Sequence, residues 1–261
     1  MEVPAPLVRY NQILEIVSCA PQGISLGELV EASGLPRSTA HRLAAALCAV
    51  GYVEMQEDGH YSIGPGLLKL LKRSLAASAM DYLPRALLAS MTAELGETAF
   101  FARRVEKHID LLEAVPPEST GRSYVYPGTG ARPVDTCSSS KAILAYLEDD
   151  TAREIYEAYL NDGNAPSHDW GAFSRELENV RKNGIAICDG EIDEGVYSVA
   201  CPVIVANMPG LFSIGVVGPT ARMKALSIDR LQGVLQDSAE QASHYITERL
   251  FRDAGQNDQG K

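Results

Sequence analysis

The stretch LPRSTAHRLAAALCAVGYVE at residues 35–54 constrains the fold more than any other part of this sequence. Its apolar residues recur at the three- and four-residue spacing of one helical face. They are Ala40, Leu43, Ala44, Leu47 and Val50. At 100° per residue, the opposite side of the same helix is polar and basic near its start. The residues there are Arg37, Ser38, His41 and Arg42. The pattern predicts a helix that buries one side and carries basic groups outward.

The residues around this helix predict a winged helix-turn-helix. A first amphipathic helix occupies residues 10–17, and a second begins at Ser25 and Glu28, which have the spacing of a capping box. The sequence SGLP then breaks the second helix, and Asp-Gly at 58–59 is a strong signal for a two-residue hairpin turn, here the wing. The alternative interpretation of residues 1–64 is a three-helix packing module with a solvated face. The order of helix, capped helix, tight turn, basic helix and hairpin favours a DNA-binding domain.

This arrangement predicts which residues contact DNA. The first turn of the third helix enters the major groove, where arginine donates two hydrogen bonds to guanine and serine or threonine contacts phosphate or base. The hairpin lies beside an adjacent phosphate or minor groove. The predicted DNA-binding residues are Arg37, Ser38, Thr39, His41, Arg42, Gln56 and His60.

Charge limits how strongly one copy of this domain attracts DNA. The chain carries a net charge of −11, and residues 1–78 hold six Lys and Arg against seven Asp and Glu. Because the domain is close to neutral, long-range attraction to nucleic acid is weak. Binding must depend on local placement of the arginines and on several copies acting together.

The rest of the chain predicts an α+β protein. A leucine-rich connecting helix at 65–80 leads into a second domain at 81–250, and a flexible tail follows at 251–261. Strands then helices then strands indicate a mixed or antiparallel sheet with flanking helices. The predicted strands lie at 98–105, 108–115, 122–126, 184–188, 196–206 and 211–218, and the last helix at about 227–250.

Several classes of protein are excluded by simple features. No apolar run approaches the ~18 residues that span a bilayer, and the N-terminus lacks the pattern of a secretory signal. Five widely spaced cysteines, without CxxC, argue against a disulfide framework or a zinc ribbon. We therefore expect a cytoplasmic protein without a membrane partner, a cofactor or a bound metal.

Three stretches resemble the IclR-type transcriptional regulators. SLGELVEASGLPRSTAHRLAAALCAVGYVE is similar to the winged helix-turn-helix of that family, which typically reads leucine-proline-basic-serine-threonine and then His-Arg-Leu. RPVDTCSSSKAILAYL at 132–147 resembles the segment leading into a helix with Gly-Lys-Ala-Leu-Leu. The region at 183–223 resembles the family's ligand-domain core, with VVGPT in place of a Ser-Gly-Pro-Thr run. The resemblance covers about residues 7–245.

The resemblance implies a fold and a function. It implies an operator-binding domain joined by a helix to an effector-binding domain of GAF-like fold, working as a homodimer or a dimer of dimers. A small organic acid is the implied effector. The residues it assigns to the effector site are Thr136, Cys137, Ser138, Ser139, Cys188, Asp189, Ser198, Gly215 and Val217.

This sequence departs from the family at four of those positions. Members that bind very small oxo-acids carry Asp at 188, Cys at 198 and Ser at 215 and 217. Because glycine and valine replace hydrogen-bonding groups, we expect a roomier, less polar pocket for a larger acid such as an aromatic carboxylate. Tyr124 and Tyr126 are either aromatic walls of that pocket or core residues of a strand.

Two alternatives remain open for the second domain. Ser138 and Lys141 form an SxxK motif, which in one enzyme class marks a serine nucleophile beside a lysine, although the SDN and KTG partners are absent. The same serines otherwise cap a helix whose N–H groups receive an effector carboxylate. Convergence of Cys137, Cys188 and Cys201 makes a thiol- or metal-responsive regulator the other alternative.

Overall fold

A computed structural model describes residues 5–67, 69–70, 85–118, 121–205 and 208–255 of the 261-residue chain. The chain divides into two compact units, Met1–Ser74 and Leu75–Lys261. Helical residues continue at 65–67 and 69–70, within the predicted connecting helix. The remainder of that helix, with the leucine at 71, lies outside the described residues.

The first unit is a three-helix domain followed by a short hairpin. Its elements are α1 (Ala5–Ser18), α2 (Leu26–Ser33), α3 (Arg37–Ala49), β1 (Val53–Met55) and β2 (Tyr61–Ile63). One apolar cluster holds it together, and its fully buried members come from every helix and both strands, including Ile13, Leu29, Leu43, Val53 and Tyr61. This is the predicted winged helix-turn-helix.

Local signals in the sequence determine the turn between α2 and α3. Ser25 and Glu28 form the predicted capping box, in which each side chain accepts a hydrogen bond from the other residue's backbone N–H. Gly34 ends α2 in the left-handed conformation (φ 64°), which glycine adopts without strain. Pro36 occupies the N-cap of α3.

The second unit is a six-stranded antiparallel sheet with helices on both faces. Its elements are α4 (Arg85–Leu95), β3 (Thr98–Val105), β4 (His108–Val115), β5 (Gly130–Ala131), α5 (Ser138–Leu144), α6 (Asp149–Asn161), α7 (Trp170–Asn183), β6 (Ala186–Asp189), β7 (Val196–Val205), β8 (Met208–Pro219), α8 (Thr220–Met223) and α9 (Ile228–Gly255). The spatial order is β5-β4-β3-β8-β7-β6. The α+β fold class is confirmed.

Each face of this sheet packs its own apolar cluster. On one face, α4 and α9 cover a cluster that includes Phe101 and Phe212, whose rings stack at 5.5 Å. On the other face, α5, α6 and α7 cover a cluster that includes Phe100 and Val217. Because side chains alternate along a strand, the neighbours Phe100 and Phe101 belong to opposite faces.

Three sequence predictions differ from the structure. Residues 122–126 are irregular, not a strand, because the carbonyls of Ser123 and Val125 accept hydrogen bonds from the side chains of Arg222 and Thr98. Tyr124 and Tyr126 are about half exposed, so they are not core residues of a strand. The last helix runs to Gly255, into the segment predicted as a tail. None of the described helices is long and apolar enough to cross a membrane.

Candidate DNA-binding surface and effector site

The outward side of α3 is exposed where the sequence predicts DNA contact. Arg37, Ser38, His41 and Arg42 are all exposed, and Thr39 is half-buried. Ala40, Leu43, Ala44 and Leu47 are buried. In the described part of the chain, Arg37 and Arg42 make no ion pair. Their guanidinium groups are therefore available to phosphate or guanine.

Hydrogen bonds outside α3 connect α1 to the turn between α2 and α3. Gln12 of α1 donates from Nε2 to the backbone oxygen of Ser33, at 2.9 Å, at the end of α2. The Ser33 hydroxyl in turn accepts a hydrogen bond from the backbone N–H of Leu35, at 3.3 Å. These bonds tie α1 to the turn that precedes the exposed helix start.

The wing is acidic at its tip. Gln56 is exposed and His60 is half-buried, and the Nδ1 of His60 lies 3.1 Å from the Oδ1 of Asp58. Hydrogen bonds from His60 lower the pKa of the Asp58 carboxyl. Glu54 and Glu57 are also exposed. A hairpin with three carboxylates is repelled by phosphates, so the wing gives less electrostatic attraction to DNA than α3 does.

In the second unit, three predicted effector residues form one row across the sheet. Cys188 on β6 pairs with Ser198 on β7, and Ser198 pairs with Val217 on β8. Thr98 on β3 continues the row. The hydroxyls of Ser138 and Ser198 are 2.8 Å apart, so the start of α5 sits directly over this row.

The other predicted effector residues divide into those near the row and those away from it. Thr136, Cys137 and Ser139 precede or begin α5 and are buried, with Cys137 Sγ 3.1 Å from Ser139 Oγ. Asp189 does not join them, because it is exposed and pairs with Lys224 at 2.6 Å. Alternation along β6 turns Asp189 to the face opposite Cys188.

Gly215 lies on the face of the sheet that α5 covers, but it leaves no extra room in the pocket. A Cβ at this position would be 2.4 Å from Cζ of Phe100 and 2.5 Å from the Val199 carbonyl oxygen. The ring of Phe100 therefore occupies the space that a side chain at 215 would take. The expectation that glycine here enlarges the pocket is wrong.

Lys141 is engaged in an ion cluster and is not placed to activate Ser138. Its Nζ is fully buried and contacts Glu176 at 2.6 Å, Glu191 at 2.8 Å and the Ile187 carbonyl at 3.1 Å. Burial alone lowers the pKa of Lys141, but the hydrogen bonds to the two glutamates outweigh it and raise that pKa. A charged, triply bonded ammonium is a poor general base, which argues against the SxxK enzyme alternative.

The same cluster contains the one group of candidate metal ligands among the described residues. His168, Glu176 and Glu191 bring ligand atoms within 4.8 Å of one another. Nζ of Lys141 already lies between the two carboxylates as their counter-ion. A metal ion there would have to share the two carboxylates with a buried positive charge, so we do not interpret the group as a metal site.

The three cysteines do not all converge. Cys137 and Cys188 lie near each other on the side of the sheet covered by α5, whereas Cys201 belongs to the cluster on the opposite face. Burial raises the pKa of Cys188, and it raises the pKa of Cys201 to about 12. Thiols of this kind stay protonated and unreactive at neutral pH, which argues against the thiol-responsive alternative.

Sequence reasoning missed several residues of this region. Strand pairing and helix packing bring three of them, Phe100, Glu176 and Glu191, into contact with predicted residues. No spacing in the sequence predicts these contacts. Ser213 is a further case, since its hydroxyl donates to the Ser139 carbonyl at 3.1 Å. Ser140 is also fully buried, and its hydroxyl has no hydrogen-bond partner among the described residues.

The first unit is a winged helix-turn-helix with an exposed, basic helix start, and the second is a sheet domain. Together they define a class of protein, the transcriptional regulators with a helix-turn-helix domain and a second domain. Residues 6–57 match the IclR helix-turn-helix domain, and residues 76–244 match the domain described as bacterial transcriptional regulator IclR C-terminal. The chain belongs to the IclR family of transcriptional regulators.

Individual relatives agree with this assignment. The DNA-binding transcriptional repressor YiaJ of Escherichia coli is 25% identical over 256 residues, covering 95% of this chain and 90% of that protein. An IclR transcriptional regulator from Alicyclobacillus acidocaldarius superposes with a TM-score of 0.55 at 22% identity, covering 94% of this chain and 100% of that one. An IclR homolog from Microbacterium hydrocarbonoxydans, solved with 4-hydroxybenzoate, gives 0.52 at 20% identity, covering 92% and 98%.

Proposed function

We propose that this regulator binds an operator as a homodimer or a dimer of dimers and that a small organic acid, in particular an aromatic carboxylate from a catabolic pathway, changes its DNA binding. The protein would act in the cytoplasm, without a cofactor or metal. DNA and effector each favour one arrangement of the paired DNA-binding domains, so each changes the affinity for the other.

The DNA side of the proposal rests on the exposed start of α3. Arg37 and Arg42 have no ion-pair partner in the described part of the chain, and Ser38, Thr39 and His41 complete the predicted contact surface. Gln56 and His60 of the wing are secondary contacts, since the acidic tip weakens them. One such domain offers few cations to phosphates, and two or four copies on repeated half-sites add their binding energies.

The effector side rests on the pair of buried hydroxyls at Ser138 and Ser198. Two neutral hydroxyls that now bond to each other become donors to a carboxylate without breaking an ion pair. Cys188 and Val217 beside them supply apolar contact for the rest of the acid. Thr136, Cys137, Ser139 and Gly215 border the same place, and Asp189 drops out of the proposed contacts because it points to Lys224.

A relative supports the choice of acid. The Microbacterium hydrocarbonoxydans homolog was solved with 4-hydroxybenzoate, an aromatic acid. Because that chain is only 20% identical to this one, it suggests the probe to use first and does not identify the effector.

The test measures acid binding by thermal shift and DNA binding by gel shift on the gene's own upstream region. A binding acid raises the melting temperature of the full-length protein by mass action and changes the affinity for DNA. The double variant Ser138→Ala, Ser198→Ala should lose the shift. The matched control is Ser238→Ala, a buried serine of α9 that donates to its own helix at Val234. An equal loss in both variants, or no shift with any aliphatic or aromatic acid, contradicts the effector proposal.

A further inference from the structure

Phe100 is the single large side chain in a row of small residues across the sheet. It pairs with Ala114 on β4 and with Gly215 on β8. The row continues through Ala200 on β7 to Ala186 on β6. The ring is 2% exposed and lies over the space above Gly215.

This row lies beside the row that carries the proposed effector contacts. Members of the two rows are two residues apart on each strand. Val217 follows Gly215 on β8, Ser198 precedes Ala200 on β7, and Cys188 follows Ala186 on β6. Two residues along a strand span about 7 Å, the width of an aromatic ring. Phe100 and Val217 belong to the same apolar cluster, on the face covered by α5.

We infer that Phe100 sets the size limit of the effector, so that this chain accepts a compact, planar aromatic acid and rejects one extended at the end away from its carboxylate. The inference rests on the effector site proposed above. An acid whose carboxylate lies at Ser138 and Ser198 and whose ring extends along the strands toward the neighbouring row would bring its far end to the ring of Phe100. Edge-to-face or offset contact between two rings is the favoured geometry for such a pair.

The pairing of Phe100 with Gly215 explains why the limit is sharp. The ring has a glycine opposite it, so it fits only because β8 carries no side chain there. Any Cβ at 215 would also meet the Val199 carbonyl oxygen at 2.5 Å, which is backbone and does not move aside readily. The ring thus forms a closed wall where the sequence alone suggests open space.

The experiment compares two adjacent phenylalanines. Phe101 is the matched control, because it is equally buried on the same strand but faces the opposite cluster, against Phe212. The affinities of benzoate and 4-tert-butylbenzoate are measured by calorimetry for the wild-type full-length protein, Phe100→Leu and Phe101→Leu. Circular dichroism checks that each variant is folded, and Phe100→Met replaces Phe100→Leu if the latter does not fold.

The wild-type protein should prefer benzoate, and Phe100→Leu should lower the benzoate-to-tert-butylbenzoate affinity ratio by about tenfold, the effect of opening an apolar pocket by a few carbons. Phe101→Leu should leave the ratio within about twofold. If the ratio is unchanged in Phe100→Leu, or changes equally in both variants, the inference is overturned while the effector proposal stands. If the wild-type protein binds no acid, the effector proposal fails and this inference fails with it.

Discussion

Two helices of this chain begin with similar polar sequences, Arg-Ser-Thr in α3 and Ser-Ser-Ser in α5, yet they present opposite environments. Neither has a side-chain hydrogen bond at its N-cap. The first turn of α3 is exposed at Arg37 and Ser38, whereas all seven residues of α5 are buried. Exposure therefore decides which partner each helix can serve. A duplex can reach the first, and only a molecule enclosed by the protein can reach the second.

The basic side chains of the two helices also differ, because those of α3 are exposed and unpaired in the described residues, whereas the lysine of α5 is buried and paired. Arg37 and Arg42 of α3 make no ion pair in the described residues, so an incoming phosphate meets an unpaired charge. Lys141 of α5 is saturated by two carboxylates and a carbonyl. A basic residue near a helix start is thus a binding group in one unit and a structural group in the other. The predictions below test that division, from the largest expected effect to the smallest.

Lys141→Met should destabilise the protein by about 3 kcal/mol, because it leaves Glu176 and Glu191 without their counter-ion. This is the low end of the range for broken buried pairs, since both carboxylates are partly exposed. The measurement is chemical denaturation of both proteins. The matched control is Lys107→Met, whose exposed contact with Glu154 spans 3.8 Å and should contribute less than about 1 kcal/mol.

The stability from Lys141 should also depend on pH in one direction. Its pKa is raised in the folded protein, so the contribution is fully present below the ordinary value of 10.5 and is lost only as the pH rises through the folded value. The difference between wild type and Lys141→Met should therefore stay constant around neutral pH. A difference that disappears near pH 7 would contradict the assignment.

Arg37→Ala should weaken operator binding by about 1–3 kcal/mol for each copy that contacts DNA, with little change in the melting temperature. The reason is that Arg37 is exposed and holds no intramolecular ion pair in the described region. Fluorescence anisotropy on the upstream DNA measures the affinity. Arg153→Ala is the control, because that exposed arginine lies on α6 of the other unit and pairs with Glu157. Equal losses in the two variants would argue against α3 as the recognition helix.

Ser140→Ala should stabilise the protein by about 1 kcal/mol, because it removes a buried hydroxyl that has no partner among the described residues. Alanine is also the better helix former. Ser213→Ala, which removes a buried hydroxyl that does donate a hydrogen bond, should be destabilising by about 1 kcal/mol. Denaturation midpoints compare the two, and a loss of stability in Ser140→Ala would show that its hydroxyl is satisfied.

Glu57→Gln should strengthen DNA binding by a few tenths of a kcal/mol, because it removes one charge from the acidic wing. The gain should be larger at low salt and should shrink as salt screens the repulsion. Titrations at several salt concentrations measure it, with Glu118→Gln in the second unit as the control. No change at low salt would indicate that the wing stands away from the duplex.

The sequence predicts the first unit far better than the proposed effector site. Capping at Ser25 and Glu28, the turn at Gly34 and the Asp-Gly hairpin are local signals, so each can be read from a few neighbouring residues. Only the resemblance to a family points to Cys188, Ser198 and Val217, because cross-strand register depends on residues far apart in the chain.

Two wrong expectations for the second unit have the same physical origin. The missing side chain of Gly215 suggests empty space in the sequence, but the residue that fills this space comes from β3, more than a hundred residues earlier in the chain. The alternating pattern of residues 122–126 predicts a strand. However, two of their backbone carbonyls accept hydrogen bonds from the side chains of Thr98 and Arg222. Long-range partners decided both outcomes.

The burial of α5 on every side has a consequence for how a regulator of this kind changes its chemical preference over evolutionary time. Through Lys141, this helix is bonded to α7, to β6 and to the loop after β6, so it tolerates few replacements and variation there is expected to be selected against. The sheet positions opposite it, such as 100, 215 and 217, can be exchanged as complementary sets that conserve volume. New ligand specificities should therefore arise by paired substitutions on neighbouring strands, with the helix above them left intact.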